Sequence, residues 1–331
     1  MKRGKEMIDL KEITSELSVN LKRHLGQILP HHAISEIYEY ALFPTGKLFR
    51  PLLVYAIGRD FKRSGWQGNI IGPQSDFSYL ASAVEMHHAY TLIHDDLPAM
   101  DNDDYRRGKL TVHKKYNEWK ALLVGDGLCV GPFALLSQIK SPAFPDVLKF
   151  FSWALGPKGL ILGQVLDLSE EMNHSFVNLI TTHRLKTARL IQTAIVGSYL
   201  LTLDEKKDDR KQKYRECRDL YKLGDAMGVS FQLLDDLTEL AELKITEREQ
   251  KINPWLRHSD EALQTLLHYM QIIKKITSTY NGMPTFSLVL DDYLSKIKKI
   301  LNEGSVNIER HLPKKEALVP IMGLFDGIHQ R

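Results

Sequence analysis

The chain is poor in cysteine, in net charge and in long apolar runs, and each shortage removes a class of function. Two cysteines, Cys129 and Cys217, are too few and too far apart for a disulfide framework, and they suit a reducing compartment. Thirteen histidines are present, but none stands in a zinc-like Cys/His spacing. A formal net charge of +3 over 331 residues favours neither a nucleic-acid surface nor a basic membrane patch. No apolar run reaches the roughly 18 residues that a spanning helix needs. The longest candidate, Phe150 to Leu168, is interrupted by Pro157, Lys158 and glycines. The N-terminal stretch MKRGKEMIDLKEI is charged and lacks the apolar core of a signal peptide. A soluble, cytoplasmic protein that does not span a membrane is therefore expected.

What is present is helical. The composition, 43% hydrophobic and 26% charged, is that of a globular protein with ample core. Leu80, Val84, His88 and Leu92 recur four apart within 76–94, with Asp76 as the expected N-cap. Leu220, Leu223, Met227, Phe231 and Leu234 make the same pattern within 218–243. Residues 175–202 and 258–280 also read as long helices. There are no runs of alternating strands and no glycine-rich strand-to-helix turn. The expected class is all-α, in one domain over 1–331, with surface loops at Asp204–Arg215 and Lys244–Asp260.

Two carboxylate clusters stand out. From His94 the chain reads HDDLPAMDNDDYRRG, with Asp95, Asp96, Asp101, Asp103 and Asp104 close together and Arg106 and Arg107 directly after. Like charges this dense repel unless cations neutralise them. Pro98 disfavours a regular helix, so the later aspartates are expected to curl back toward the first. Carboxylates take hard cations, and arginines take phosphate oxygens. The second cluster is Asp235, Asp236 and Glu239, where Asp235 and Glu239 lie four apart and share a helix face. Gly228 and Gln232 extend that polar stripe, which suggests a lined cavity. One acidic cluster alone would more often be a solvated loop; two, with arginines beside one, point to magnesium held against a diphosphate.

The segments TGKLFRP (45–51), EMHHAYTLIHDDLPAMDNDDYRRG (85–108), GD (125–126), GQVLDL (163–168), KTA (186–188) and FQLLDD (231–236) follow one another in an order that resembles the trans-prenyltransferase, or polyprenyl synthetase, family. Within it the chain is similar to bacterial members that make farnesyl diphosphate. The resemblance covers about 40–240, with 244–331 divergent. It implies an all-α bundle around a deep central cavity, as a homodimer, condensing isopentenyl diphosphate head-to-tail with an allylic diphosphate (dimethylallyl or geranyl). It implies that Asp95, Asp101 and Asp235 hold magnesium, three ions with substrate bound, supported by Asp96, Asp236 and Glu239. Lys47, Arg50, His88 and Arg107 match positions that bind isopentenyl diphosphate. Arg106, Lys186, Thr187 and Gln232 match positions that bind the allylic diphosphate, so Asp95, Asp101, Lys186 and Asp235 are the expected catalytic set.

Read alone, His88 suits a satisfied core histidine and Lys186 a surface lysine; the resemblance gives each a ligand. Lys47 and Arg50, three apart, would project together from a helix. Tyr90, five residues before Asp95 and roughly 7.5 Å along the helix, is placed to form the floor of the chain-elongation cavity; by resemblance this implies a C15 product. The chain departs from the family pattern at Leu48, where an arginine is usual, at Glu239, where an aspartate is usual, and after the second cluster, where a Gly-Lys loop is missing. Alternatives are synthases stopping at ten or twenty carbons, a non-catalytic prenyl-diphosphate-binding subunit, and a terpene cyclase, for which Lys47, Arg50 and His88 would have no use.

Overall fold

The computed structural model describes residues 9–62, 68–204, 209–312 and 318–326. Its regular structure is almost wholly helical: α1 (Leu10–Ile28), α2 (Ser35–Leu42), α3 (Phe49–Phe61), α4 (Asp76–Asp95), α5 (Val112–Lys115), α6 (Glu118–Leu136), α7 (Phe144–Leu155), α8 (Leu160–Leu168), α9 (Phe176–His183), α10 (Arg189–Leu201), α11 (Arg210–Glu239), α12 (Glu247–Ile252), α13 (Pro254–Arg257), α14 (Ser259–Thr279), α15 (Pro284–Glu303), α16 (Ser305–His311) and α17 (Leu318–Asp326). The exception among the described residues is a hairpin, β1 (Tyr105–Arg106) against β2 (Lys109–Leu110), antiparallel with Arg106 opposite Lys109. The chain forms two compact units, residues 1–150 with 197–208 and residues 151–196 with 209–331.

In the first unit α4 is the central helix, buried around most of its girth from Phe77 to Ile93. A helix apolar on all sides has to be packed on all sides, and α1, α3 and α6 lie against it. α1 presents Leu17, Leu21 and Leu25 one turn apart, with His24 buried among them and tied to Ser82 Oγ and the Pro73 carbonyl, both at 2.7 Å. The N-cap of α4 is Ser75, whose hydroxyl accepts from Ser78 N, and not Asp76. Asp76 instead accepts from the backbone amides of Lys140 and Ser141, which fixes the turn before α7. Of all described helices, α6 alone has the length and hydropathy to cross a membrane, rather than the Phe150–Leu168 stretch, which is broken between α7 and α8.

In the second unit α11 is the spine. Leu220, Leu223, Met227, Leu234 and Leu237 bury its inner face, and α14 and α15 pack on it. Its first turns occupy residues expected as loop: Asp209 caps Arg210 onward by accepting from Lys211 N and Gln212 N. The expected helix over 175–202 is interrupted by a π-turn, Arg184–Ala188, between α9 and α10. π-turns insert one extra residue and recur at functional sites. The expected loop over Lys244–Asp260 also contains structure, α12 and α13. Asn253 and Trp255 there are 1% and 0% exposed; Asn253 Nδ2 donates to the Asp236 carbonyl at 2.7 Å and Trp255 Nε1 to the Leu233 carbonyl at 2.6 Å. Two side chains thus brace α11 where its carboxylates lie.

Candidate active site

The first cluster sits at the C-terminal end of α4. Asp95 is the last helical residue and Asp96 the cap. Leu97 N then donates to the His94 carbonyl, and Asp101 N returns to donate to the Asp95 carbonyl at 2.9 Å. The expected curl after Pro98 is therefore present, with both Asp95 and Asp101 half-buried. Asp96 points inward, 3% exposed, and accepts from Arg106 Nε and Nη2 at 2.6 Å. Burial pushes its carboxyl above the usual carboxylate range even with Arg106 paired to it. The hairpin delivers that arginine and the next: Arg107 and Gly108 form its two-residue turn, at φ 53° and 74°.

A cleft of about 190 Å³ lies beside this cluster, with Glu85, His88, Asp96, Arg106, Arg107 and Lys109 among its lining residues. Arg107 reaches the TGKLFRP segment: a Cβ on Gly46 would lie 2.6 Å from its Cζ, so the guanidinium rests on a bare glycine. Burial drives His88 well below its ordinary pKa, and Arg50 and Arg107 push in the same direction. His88 is thus neutral, offering one donor and one acceptor. Arg50, His88 and Arg107 are brought together here. Lys47 is not helical as expected: it is exposed before Leu48, which adopts a left-handed φ of 47°, and α3 starts at Phe49. Leu48, the departure from the usual arginine, is 2% exposed and packs in the core. Glu85, 6% exposed and one turn before His88, was not singled out from sequence. Burial raises its carboxyl, and Arg50 and Arg107 pull it only partway back, so Glu85 lies within electrostatic reach of both arginines. Its signal was the (i, i+3) spacing to His88. Tyr90, 9% exposed, is held edge-on by the rings of His87 and His94, at centroid distances of 4.6 and 5.3 Å.

The second cluster occupies the last turn of α11, which contains no basic residue. Asp235 and Glu239 are exposed, and Asp236 is 8% exposed. A pocket of about 160 Å³ is lined by Asp167, His183, Lys186, Thr187, Gln232, Asp236, Glu239 and Asn253 among others. Thr187 Oγ1 donates to Gln232 Oε1 at 3.2 Å, and Gln232 Nε2 donates to Asp236 Oδ1 at 2.8 Å. This chain of bonds orients the amide. Lys186, Thr187, Gln232 and Asp236 are therefore assembled. Gly228 does not line the pocket as the polar-stripe reading had it. A Cβ there would lie 2.3 Å from Ala188 Cα, so it is the point where α11 meets the π-turn. Sequence reasoning missed His183, whose imidazole burial lowers to about 4, and Asn253.

Both clusters stand at helix C-termini, where the dipole is negative and carboxylates are disfavoured. A bound cation reverses that penalty. Among the described residues no three His, Cys, Asp or Glu side chains converge to hold a metal by themselves. Magnesium does not require it, since it uses one or two carboxylates and completes its octahedron with water and substrate phosphate. The all-oxygen donors of Asp95, Asp101, Asp235 and Glu239 fit that ion.

The sequence profile of the polyprenyl synthetase family matches residues 31–253. The chain is 31% identical to the farnesyl diphosphate synthase of Micrococcus luteus over 303 residues, 89% of this chain and 96% of that protein. It is 32% identical to the farnesyl diphosphate synthase of Geobacillus stearothermophilus over 244 residues, 71% and 76% of the two chains. Among solved structures, a geranyltransferase from Legionella pneumophila superposes with a TM-score of 0.71 at 29% identity, covering 89% of this chain and 96% of its own. A geranyltransferase from Helicobacter pylori, solved with magnesium and isoprenyl diphosphate, shares the fold with a TM-score of 0.68 at 24% identity, over 88% of this chain and 100% of its own.

Proposed function

The chain belongs to the polyprenyl synthetase family, and from that premise we propose that it is a magnesium-dependent farnesyl diphosphate synthase, joining isopentenyl diphosphate head-to-tail to dimethylallyl and then geranyl diphosphate. The observation that carries the reading is the backbone turn that returns Asp101 to Asp95 beside a cleft lined by His88, Arg106 and Arg107. Hard-cation ligands and phosphate-binding cations stand together there, as a metal–diphosphate site requires.

In this reading Asp95, Asp101 and Asp235 hold the metal, three ions with substrate bound, and Asp96, Asp236 and Glu239 support them. Magnesium, when bound, neutralises the diphosphate and stabilises its departure. Arg106, Lys186, Thr187 and Gln232 grip the allylic diphosphate and add fixed positive and dipolar groups where negative charge grows as the C–O bond breaks. Arg50 and Arg107, with Lys47 at the entrance, bind isopentenyl diphosphate. Neutral His88 donates a hydrogen bond to it without adding charge. The isopentenyl double bond attacks the allylic carbon, and a proton then leaves to the released diphosphate, so no side-chain nucleophile is needed.

Tyr90 ends the cavity at C15, its ring fixed by two edge-on neighbours. Residues 1–331 act as one synthase domain. The exposed stripe of Trp119, Leu122, Leu123, Val130 and Phe133 along α6 supports a homodimer, with a second copy covering it. Cys129 and Cys217, neither of them in a disulfide, agree with a cytoplasmic location. The test is product analysis with labelled isopentenyl diphosphate and each allylic substrate. A C15 product dependent on magnesium is expected. Predominant C20 would remove the Tyr90 floor, and no turnover of any allylic substrate would sink the enzyme reading.

A further inference from the structure

The GQVLDL segment forms most of α8, and two of its residues bear on Lys186. A Cβ on Gly163 would lie 2.3 Å from Lys186 N and 2.7 Å from its Cα, so the bare glycine lets α8 rest against the backbone of the π-turn. One helical turn later, Asp167 Oδ2 accepts from Lys186 Nζ at 2.5 Å. Their side chains are 10% and 27% exposed, so the pair is largely shielded from water. On the other flank Gly228 of α11 abuts Ala188 Cα of the same turn. The backbone carrying Lys186 is thus in close contact with two helices, and the ammonium itself is anchored by one of them.

A free lysine side chain samples many rotamers, and that entropy is lost when a site holds it in one place. An ammonium has three donors. Asp167 engages one of them at the wall of the pocket that Lys186 shares with Thr187, Gln232 and Asp236.

We propose that Asp167 is a positioning residue: it presets the Lys186 ammonium at the pocket wall, so that the allylic diphosphate meets a cation already in place. This rests on the reading of Lys186 as a diphosphate ligand. A merely structural ion pair would affect folding stability and leave the balance between the two substrates alone; a positioning role affects one substrate and acts only through the lysine.

The test is a kinetic double-mutant cycle with Asp167→Asn, Lys186→Met and the double variant. KM and kcat are measured with each substrate varied, and thermal melting serves as the folding control. Asp167→Asn is expected to raise the allylic KM about tenfold, to leave the isopentenyl KM within about twofold, and to have no further effect on Lys186→Met. Asp167→Glu, which keeps the charge but shifts it by a methylene, is expected to fall between the parent and Asp167→Asn. An unchanged allylic KM in Asp167→Asn beside an impaired Lys186→Met overturns the proposal and leaves the Lys186 reading standing. So does an effect that multiplies in the double variant, or one equal for both substrates. A Lys186→Met enzyme with parental allylic kinetics overturns the Lys186 reading and the proposal with it. Should Asp167→Asn not fold, Asp167→Glu decides, and an allylic KM equal to the parent's refutes the idea.

Discussion

The two carboxylate clusters share a handicap and manage it differently. Both lie at the C-terminal end of a long helix, where the dipole opposes negative charge. At the first, the counter-charge is local: Arg106 follows Asp96 by ten residues and returns to it through a hairpin. At the second, it is assembled from afar. Lys186 arrives on a π-turn, held there by Asp167 of α8, and Asn253 and Trp255 brace α11 from beyond its end. A cluster that carries its own arginines can be read from a short stretch of sequence. One that borrows its cation from another element cannot.

The most severe test of this contrast is to remove one aspartate from each cluster. Asp95 is half-buried at the start of the turn that Asp101 closes, and no second carboxylate shares its helix face one turn away. Asp235 is exposed, and Glu239 stands one turn on along the same face. Asp95→Ala is therefore expected to lower kcat/KM by about a thousandfold, roughly 4 kcal/mol of transition-state stabilisation. Asp235→Ala is expected to lower it by about a hundredfold. Unchanged circular dichroism would show the fold to be intact. Near-normal activity in Asp95→Ala would defeat the metal assignment, and a greater loss in Asp235→Ala would invert the ranking.

A second comparison concerns acid. Each unit buries one imidazole whose pKa burial depresses to about 4, His87 in the first and His183 in the second. In the unfolded chain each titrates near 6.5. Between these values the unfolded state binds the proton that the folded state refuses, so stability rises with pH across that window. It is full above about pH 6.5 and falls away toward pH 4, by about 3 kcal/mol for each histidine. His87→Gln and His183→Gln should each flatten the melting temperature's decline over that range by similar amounts. If only one does so, the other imidazole does not contribute to acid unfolding.

Much of the first region was legible because its parts are contiguous. The aspartates, Pro98 and the arginine pair fall within one short segment, and periodicity alone marked α4 and α11 as helices. What escaped depends on partners. Nothing in RLKTA announces a π-turn, because the extra residue that shifts the helical register needs no residue type of its own. Asn253 and Trp255 lay in a polar stretch that read as surface; their burial follows from carbonyls offered by α11. Lys47 was placed on a helix by its spacing to Arg50, but the left-handed turn at Leu48 separates them. Asp167 was visible inside a recognisable segment, yet its role appears only once Lys186 lies beside it.

The finest comparison uses one small substitution in each region. A Cβ at Gly228 would lie 2.3 Å from Ala188 Cα and 3.0 Å from its N, and backbone cannot step aside. The three atoms nearest a Cβ at Gly46 would all belong to the tip of Arg107, a flexible side chain, from 2.6 Å. Gly228→Ala should therefore cost about 1–3 kcal/mol of stability through overpacking, seen as a melting temperature lower by several degrees, roughly 2–4 °C for each kcal/mol. Gly46→Ala should leave the melting temperature within about a degree, because Arg107 moves instead. In moving, the guanidinium leaves its place over the cleft, and the isopentenyl KM should rise about fivefold with the allylic KM unchanged. The two variants thus separate a glycine that serves packing from one that serves binding. A destabilised Gly46→Ala with parental kinetics would show that Arg107 is held there for the fold and not for the substrate.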